Sequence, residues 1–350
     1  MKIAVLSSLA QNTGCFLRAG YLAKSLKGYS SVRYLKPLPK NLPFMLDMLL
    51  SIPINIFRVL FSNADVFIGI KPFPNVTLPL LIKKIISGSK VIIDIDDLDS
   101  GYRKGLLSKI NSLIQKPFPK YFDLVTYHNS LLHDYIKKEF KVEKELYKLE
   151  QGVDLDVFNY KIKENKLRKK FSKNNEKIIL FIGHLNIASD LDEIIRAMKI
   201  VQKKSGAVFI VAGGGPEENN FKKLAKEIGV KAVFTGHISK EEIVKYVSVA
   251  DLCLVYYKDK PANYYRCSMK LRECMAMEKK IVCNDVGELK EFKKYCYQSG
   301  TSLEEYANKI IKTLKAGDKR EIKARKLIEK RFNWNKIGEK FVKKLRGLKQ

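Results

Sequence analysis

The sequence lacks the cysteine and histidine patterns that mark disulfide-rich or zinc-bound domains. Its 350 residues include six cysteines and four histidines. No two cysteines have CxxC spacing, most of them lie in apolar runs, and the histidines do not cluster with them. Cysteines placed in this way act as small buried hydrophobes, so we expect a reduced, intracellular protein without a metal site.

The chain also lacks a continuous apolar run that suits a signal peptide or a membrane span. The apolar run at residues 3–6 ends at Ser7, which is too early for a secretory signal. Residues 42–61 are long enough to cross a bilayer, but polar residues such as Asp47 and Arg58 interrupt them. We interpret this segment as one or two amphipathic helices, and we expect a cytoplasmic protein.

Acidic residues are scarce relative to basic ones. The chain has 37 Asp and Glu against 66 Lys and Arg, which gives a formal net charge of +29. Such an excess favours a nucleic acid, an anionic membrane or a phosphorylated substrate as partner. The alternative is a solvated, lysine-rich surface, because the charge is spread along the chain. Aromatic residues do not interleave with the basic runs at residues 160–177 or in the C-terminal tail, which argues against nucleic acid.

Short apolar runs alternate with helical patterns through both halves of the chain. The strand candidates are residues 3–6, 66–70, 91–95, 124–127, 178–182, 208–211, 233–234, 251–257 and 281–283. Continuous apolar strands that alternate with helices indicate parallel sheets covered on both faces. We therefore predict an α/β protein with two Rossmann-like, doubly wound domains facing each other across a cleft. The polar stretch at residues 160–177 marks the predicted boundary between them.

Three features of the sequence are suited to binding phosphate. Residues 213–216 are Gly-Gly-Gly-Pro, and glycines let the backbone approach a ligand closely. A helix that starts near Ser268 would direct its free N–H groups and Lys270 towards a phosphate, and Glu273, one turn further on, suits a ribose. Residues 11–14 hold the corresponding position in the first half. The alternatives are simple tight turns and a surface Glu–Lys pair.

Four segments of the C-terminal half carry a family resemblance. In chain order they are ILFIGHL with DLDEIIRAMKIV, FIVAGGGPE, VFTGHISKEEIVKYVSVADLCLVYY and SMKLRECMAMEKKIVCNDVGELKEF. In this order and spacing the chain resembles the GT-B fold glycosyltransferases, and within them the large retaining family called family 4 (glycosyl transferases group 1). The N-terminal half matches in outline. The resemblance implies an acceptor domain at 1–165, a nucleotide-sugar domain at 172–330 and a final helix at 331–350 that crosses back to the first domain.

The resemblance also implies roles for individual residues. Glu273 is similar to the family's ribose-binding glutamate, and Lys270 lies at the phosphate-binding start of the same helix. Asp96 and Asp97 lie where a His-Asp pair of the family faces the transferred sugar, so the implied catalytic residues are Lys270, Asp96 and Asp97. The residues implied to bind the donor are Gly14, Gly183, His184, Gly213, Gly214, Gly236, His237, Ile238, Ser268, Met269, Leu271 and Glu273.

Three positions depart from the family pattern. His184 stands where the family often has an arginine. Ser189 or Asp190 replaces a lysine that often grips the diphosphate, and Tyr265 replaces the first of two paired glutamates. We expect Lys270 to supply the missing positive charge.

We therefore expect a hexosyl or related glycosyltransferase that moves a sugar from a nucleoside-diphosphate sugar to a lipid-linked or polysaccharide acceptor. The resemblance implies retention of configuration. No DxD motif stands at a convincing strand end, so we expect neither a metal nor a cofactor beyond the donor. The alternatives are a catalytically silent GT-B-like scaffold and a basic nucleic-acid-binding protein.

Residues 42–61 suggest a further partner. Many of them are large and apolar, and Lys36, Lys40 and Arg58 lie within or beside them. This combination suits an anionic membrane surface, which would place the protein at the inner face of the membrane. The alternative is that the segment forms core helices of the first domain.

Overall fold

The computed structural model describes residues 1–8, 14–37, 44–97, 106–172, 176–317 and 320–348, which pack as two compact units. The first unit comprises Met1–Gly152, Tyr265–Cys267 and Phe332–Gln350. The second comprises Val153–Tyr264 and Ser268–Arg331. The chain passes from the first unit to the second at residue 153, ahead of the polar stretch at 160–177.

The first unit is built on a six-stranded parallel sheet with the strand order β2-β1-β3-β4-β5-β6. Its strands are β1 (Lys2–Ser7), β2 (Ser31–Leu35), β3 (Val66–Ile70), β4 (Lys90–Ile95), β5 (Leu124–Tyr127) and β6 (Leu146–Lys148). The helices between them are α1 (Gly14–Lys27), α2 (Phe44–Leu60), α3 (Pro74–Ser87), α4 (Leu106–Gln115) and α5 (Ser130–Phe140). Two hydrophobic clusters, one on each face of the sheet, form the core.

The second unit repeats this architecture with the strand order β12-β11-β10-β7-β8-β9. Its strands are β7 (Ile178–Ile182), β8 (Val208–Ala212), β9 (Ala232–Phe234), β10 (Leu252–Val255), β11 (Lys280–Asn284) and β12 (Tyr297–Ser299). Its helices are α6 (Asn165–Phe171), α7 (Leu191–Lys204), α8 (Glu218–Glu227), α9 (Lys240–Val249), α10 (Pro261–Tyr264), α11 (Met269–Ala276), α12 (Leu303–Lys315) and α13 (Ile322–Arg331). All its strand pairs are parallel, so the predicted pair of Rossmann-like sheets is confirmed.

Three strands were not predicted from the sequence, and all three lie at sheet edges. They are β2, β6 and β12. In β2 the burial alternates between exposed and partly buried positions, whereas every residue of β3 is buried. An edge strand is not covered on both faces, so it lacks the continuous apolar run by which the central strands were recognised.

The polar stretch at residues 160–177 contains helix α6 and belongs to the second unit. Arg168 on α6 donates to the backbone oxygen of Val249 at 2.7 Å and to the carboxylate of Asp251. The segment is therefore fixed to the second unit by specific polar contacts, which its composition did not indicate.

The last helix, α14 (Trp334–Gly347), packs against α1 in the first unit. A Cβ atom at Gly338 would lie 2.5 Å from the backbone oxygen of Ser25, so the absence of a side chain permits close approach of the two helices. The rings of Trp334 and Tyr21 stack with their centroids 6.2 Å apart. These contacts attach the C-terminal residues to the first unit.

Candidate functional site at the carboxyl edge of the second sheet

Glycines lie at the carboxyl ends of β7, β8 and β9, directly after the first two strands and one residue further on after β9, and these glycines touch. The Gly183 amide donates to the Ala212 oxygen at 3.1 Å. Gly213 pairs with Gly236 in an isolated antiparallel bridge, and the Gly213 amide donates to the Thr235 hydroxyl at 3.1 Å. The structure thus brings together three of the strand-end glycines that the sequence singled out.

Backbone packing explains why these positions hold glycine. Gly213 has a φ of +135°, and a Cβ there would lie 2.1 Å from the Gly183 oxygen. A Cβ at Gly215 would lie 2.3 Å from the oxygen of Leu185, and one at Gly214 would lie 2.7 Å from the His237 nitrogen. The loops therefore pack backbone against backbone. Simple tight turns, the alternative to a ligand-binding role, would also need glycine here, so direct contact with a ligand stays a prediction.

We expect Gly215→Ala to destabilise the second unit by roughly 2–3 kcal/mol, because the new methyl group meets backbone that cannot rotate away. Gly206→Ala is the matched control, since a Cβ there meets nothing within 4 Å. Urea unfolding should place the control within about 0.5 kcal/mol of the unmodified protein. Equal stability of the two variants would show that the glycine loops are not closely packed.

Helix α11 begins beside the end of β7. Ser268 is its N-cap, and the Ser268 hydroxyl accepts from the Leu271 amide at 3.2 Å. The Lys270 ammonium lies 4.1 Å from the centroid of the Phe181 ring. It also lies 3.1 Å from the position that a Cβ of Gly183 would occupy. The structure therefore places a lysine and a helix N-terminus at the first glycine loop.

A buried ion pair anchors the start of α11. Arg272 and Glu288 are both 2% exposed, and the Arg272 guanidinium donates to both Glu288 carboxylate oxygens. Glu288 also accepts from the Ser268 amide at 3.1 Å. Neither residue was predicted from the sequence, because nothing local to either of them points to the other.

Glu273 lies one turn after Lys270, and its partner comes from another helix. The Lys240 ammonium, at the start of α9, lies 3.2 Å from the Glu273 carboxylate and 5.4 Å from the centroid of the Phe158 ring. The Glu273 side chain is only 12% exposed. The pair is therefore not the surface pair on one helix that the sequence left open as an alternative, and Lys240 is a further residue that the sequence analysis missed.

The first turn of α7 differs from the family pattern. Asp190 adopts a left-handed φ of 51° and is buried. Its carboxylate accepts from the Lys260 ammonium and the Asn263 amide, each at 2.8 Å. An aspartate that is paired with a lysine thus occupies one of the two positions where the resemblance implies a phosphate-binding lysine. His184 and His237, by contrast, are exposed beside the glycine loops.

Ile238 and Met269 lie in the second unit, whereas Asp96, Asp97 and Gly14 lie in the first. Asp96 follows β4, and its carboxylate lies 3.7 Å from the Lys71 ammonium. The His128 ring nitrogen Nε2 donates to the Asp96 backbone oxygen at 2.5 Å. Lys71 is buried and has a φ of 68°, a strained conformation of the kind found at functional sites. Lys71 directly follows strand β3, and His128 directly follows strand β5. A polar residue directly after a predicted strand is the sequence signal that would have identified both.

Asp94 and Cys15, which lie near Asp96, are both buried. Asp94 is fully buried and accepts from the Arg18 guanidinium at 2.6 and 2.9 Å. Burial raises the pKa of the Cys15 thiol and the Asp96 carboxylate raises that pKa further, so the thiol stays protonated. Gly14 is the first residue of α1, and the rest of its predicted loop, residues 11–13, lies outside the described residues.

Comparison with known families shows which proteins the second unit resembles. Residues 162–334 match the model of the family described as glycosyl transferases group 1. Over this stretch, just under half of the chain, the protein is similar to the group 1 glycosyltransferase domain. Nearly all of this domain lies in the second unit, and it includes the glycine loops and α11. The resemblance inferred from the four sequence segments is therefore confirmed, while membership of family 4 stays a prediction.

Curated relatives support this assignment. An uncharacterized glycosyltransferase of Methanocaldococcus jannaschii is 29% identical over 125 residues, which are 35% of this chain and 31% of the relative. A GDP-mannose-dependent alpha-(1-6)-phosphatidylinositol monomannoside mannosyltransferase of Mycobacterium tuberculosis is 26% identical over 134 residues, which are 37% of this chain and 35% of the relative. The matched stretch thus spans about a third of the length of each relative.

Solved structures extend the similarity over both units. The sucrose-phosphate synthase of Thermosynechococcus elongatus aligns with a TM-score of 0.82 over 99% of each chain at 14% sequence identity. At this identity the match establishes the fold, and the predicted GT-B fold class is confirmed.

Proposed function

We propose that this chain is a glycosyltransferase that takes a sugar from a nucleoside-diphosphate sugar and transfers it, with retention, to a lipid-linked or glycan acceptor. One observation carries the proposal. The glycine loops after β7, β8 and β9 meet beside the N-terminus of α11, with the Lys270 ammonium 3.1 Å from the position of a Gly183 Cβ. A helix N-terminus and a lysine at one strand end suit the diphosphate of such a donor.

The same arrangement suits the chemistry of glycosyl transfer. As the anomeric bond breaks, negative charge grows on the β-phosphate of the leaving nucleotide. The Lys270 ammonium and the backbone N–H groups at the start of α11 would stabilise that charge, and the buried Arg272–Glu288 pair holds the start of this helix in place before the reaction. We propose that these groups take the place of a metal ion, so chelation by EDTA should leave turnover unchanged.

Glu273 is proposed to accept hydrogen bonds from the ribose hydroxyls of the donor. Its carboxylate is mostly buried, and the Lys240 ammonium at 3.2 Å orients it. Asp96 and Asp97, in the first unit, stay predictions for contact with the transferred sugar. The name of the M. tuberculosis relative specifies GDP-mannose and a phosphatidylinositol mannoside, which supports a nucleotide-sugar donor and a lipid acceptor.

The test of Glu273 uses calorimetric binding of a panel of nucleoside diphosphates. We expect Glu273→Ala to weaken binding of the preferred nucleotide by about 10- to 100-fold, since a hydrogen bond to a charged group is lost. Glu227→Ala is the matched control, because Glu227 is an exposed helical glutamate with a lysine partner in the same unit.

A nucleotide without ribose hydroxyls separates direct contact from a structural effect. If Glu273 binds the ribose, the variant and the unmodified protein should bind the 2′,3′-dideoxy nucleotide equally. If Glu273→Ala weakens the binding of both nucleotides to the same extent, Glu273 only supports the fold through its contact with Lys240. Tight nucleotide binding without turnover of any nucleotide sugar would instead favour the silent scaffold, to which the His184 and Ser189 departures also point.

A further inference from the structure

Helix α2 presents an apolar stripe to solvent. Among the described side chains of α2, every exposed one is apolar, and Leu49, Phe57 and, just after the helix, Phe61 are 56%, 64% and 75% exposed. The spacing follows one face of a helix. The large residues of this α2 stripe are Leu46, Leu49, Leu50, Phe57 and Phe61.

The opposite face of α2 is part of the core. Met48 and Val59 are buried, and the Asn55 amide donates to the Asn75 backbone oxygen at 2.8 Å. The sequence offered core packing and surface contact as alternatives for this segment, and the structure assigns each to a different face. Core packing therefore leaves the α2 stripe unexplained.

Helix α3 extends the apolar surface at one end. The Lys83 ammonium on α3 donates to the Leu60 backbone oxygen at 3.0 Å, so the C-terminal ends of α2 and α3 lie side by side. Ile85 and Ile86 follow directly on α3, and Ile85 is 84% exposed. Several large exposed apolar side chains on two adjacent helices suggest an interaction site on a protein.

Basic residues outnumber acidic ones in the sequence that surrounds the stripe. Residues 28–90 contain eight basic and two acidic residues. At the C-terminal end of α2, the Arg58 guanidinium donates to the Lys36 backbone oxygen at 2.9 Å. Burial lowers the pKa of Arg58 and the nearby Arg33 lowers it further, which places two guanidinium groups close together. Arg33 and Lys36 are both exposed.

We propose that the α2 stripe docks on an anionic lipid bilayer. Its phenylalanine and leucine side chains would enter the region between headgroups and acyl chains, and Arg33, Lys36 and Arg58 would contact the headgroup phosphates. A continuous apolar face edged by cations matches this layered partner, which needs no shape complementarity. The proposal concerns the surface of the first unit and does not depend on transferase activity.

Co-sedimentation with vesicles tests the proposal. We expect the protein to bind vesicles of phosphatidylcholine mixed with phosphatidylglycerol, and to bind vesicles of phosphatidylcholine alone much more weakly. Phe57→Ser with Phe61→Ser should lower the partition coefficient by at least about 10-fold, because two large apolar groups no longer enter the bilayer. Arg33→Gln with Lys36→Gln should lower it by roughly 10-fold or more at low salt and by less at high salt.

The control is Ile187→Ser with Ile322→Ser, which removes two exposed apolar side chains from the second unit. It should bind vesicles as the unmodified protein does. Binding that the phenylalanine variant retains in full would overturn the proposal. A second result would also overturn it: no binding to vesicles, together with a dimer in light scattering that the phenylalanine variant abolishes. The partner of the α2 stripe would then be a second copy of this chain.

Discussion

Replacing Lys270 by methionine is expected to lower kcat by about 100- to 1,000-fold, the usual cost of removing one preorganised group that stabilises developing negative charge. Methionine keeps an unbranched chain over the Phe181 ring, which the lysine ammonium contacts at 4.1 Å, so the packing is conserved while the charge is lost. The measurement is steady-state turnover of the nucleotide sugar that the binding panel selects.

The division between kcat and KM identifies the role of Lys270. A cation that acts on the leaving diphosphate lowers kcat far more than it changes KM, because the charge grows in the transition state. Lys223→Met is the matched control, since Lys223 is an exposed lysine on α8 of the same unit, and its kinetics should not change. An unchanged kcat for Lys270→Met would remove Lys270 from the mechanism.

Replacing Arg272 by methionine is expected to destabilise the second unit by about 3–5 kcal/mol, because Glu288 is left charged and buried without its partner. Both side chains are 2% exposed, so water cannot replace the lost hydrogen bonds. Urea or thermal unfolding followed by circular dichroism measures the effect. The exposed pair of Lys223 and Glu227 is the control, and Lys223→Met should change stability by less than about 0.5 kcal/mol.

The double variant Arg272→Met with Glu288→Leu separates loss of the ion pair from loss of packing. Replacing both charges with apolar groups of similar size removes the unpaired charge, so most of the lost stability should return. A double variant as unstable as Arg272→Met alone would mean that the arginine acts through its packing on the Phe292 ring, which lies 5.1 Å from the guanidinium carbon.

The local pattern of the chain was sufficient to predict most of the fold. The apolar runs of β1, β3, β4, β5, β7 and β8 are covered on both faces, and their burial shows in composition alone. The start of α11 was also predictable, because Ser268 caps the helix through the amide of Leu271, three residues along the chain. Interactions of this range depend on residues that are neighbours in sequence.

The partners of the site residues were decided by the tertiary structure. Glu273 is held by Lys240 from α9, and Arg272 by Glu288 from beyond β11. In the first unit Arg18 pairs with Asp94, 76 residues away. These pairs exist because the sheet order places elements that are distant in the sequence side by side, and a strand or helix pattern carries no information about which element will be its neighbour.

The sequence by itself therefore determined the α/β class, the glycine loops, the capped helix that starts at Ser268 and the amphipathic character of α2. Only the tertiary structure decided which face of α2 is exposed and which cations pair with the buried carboxylates. The physical reason is the distance along the chain over which each kind of interaction acts. Helix caps, turns and hydrophobic periodicity act over a few residues, whereas burial and charge pairing depend on how the whole chain packs.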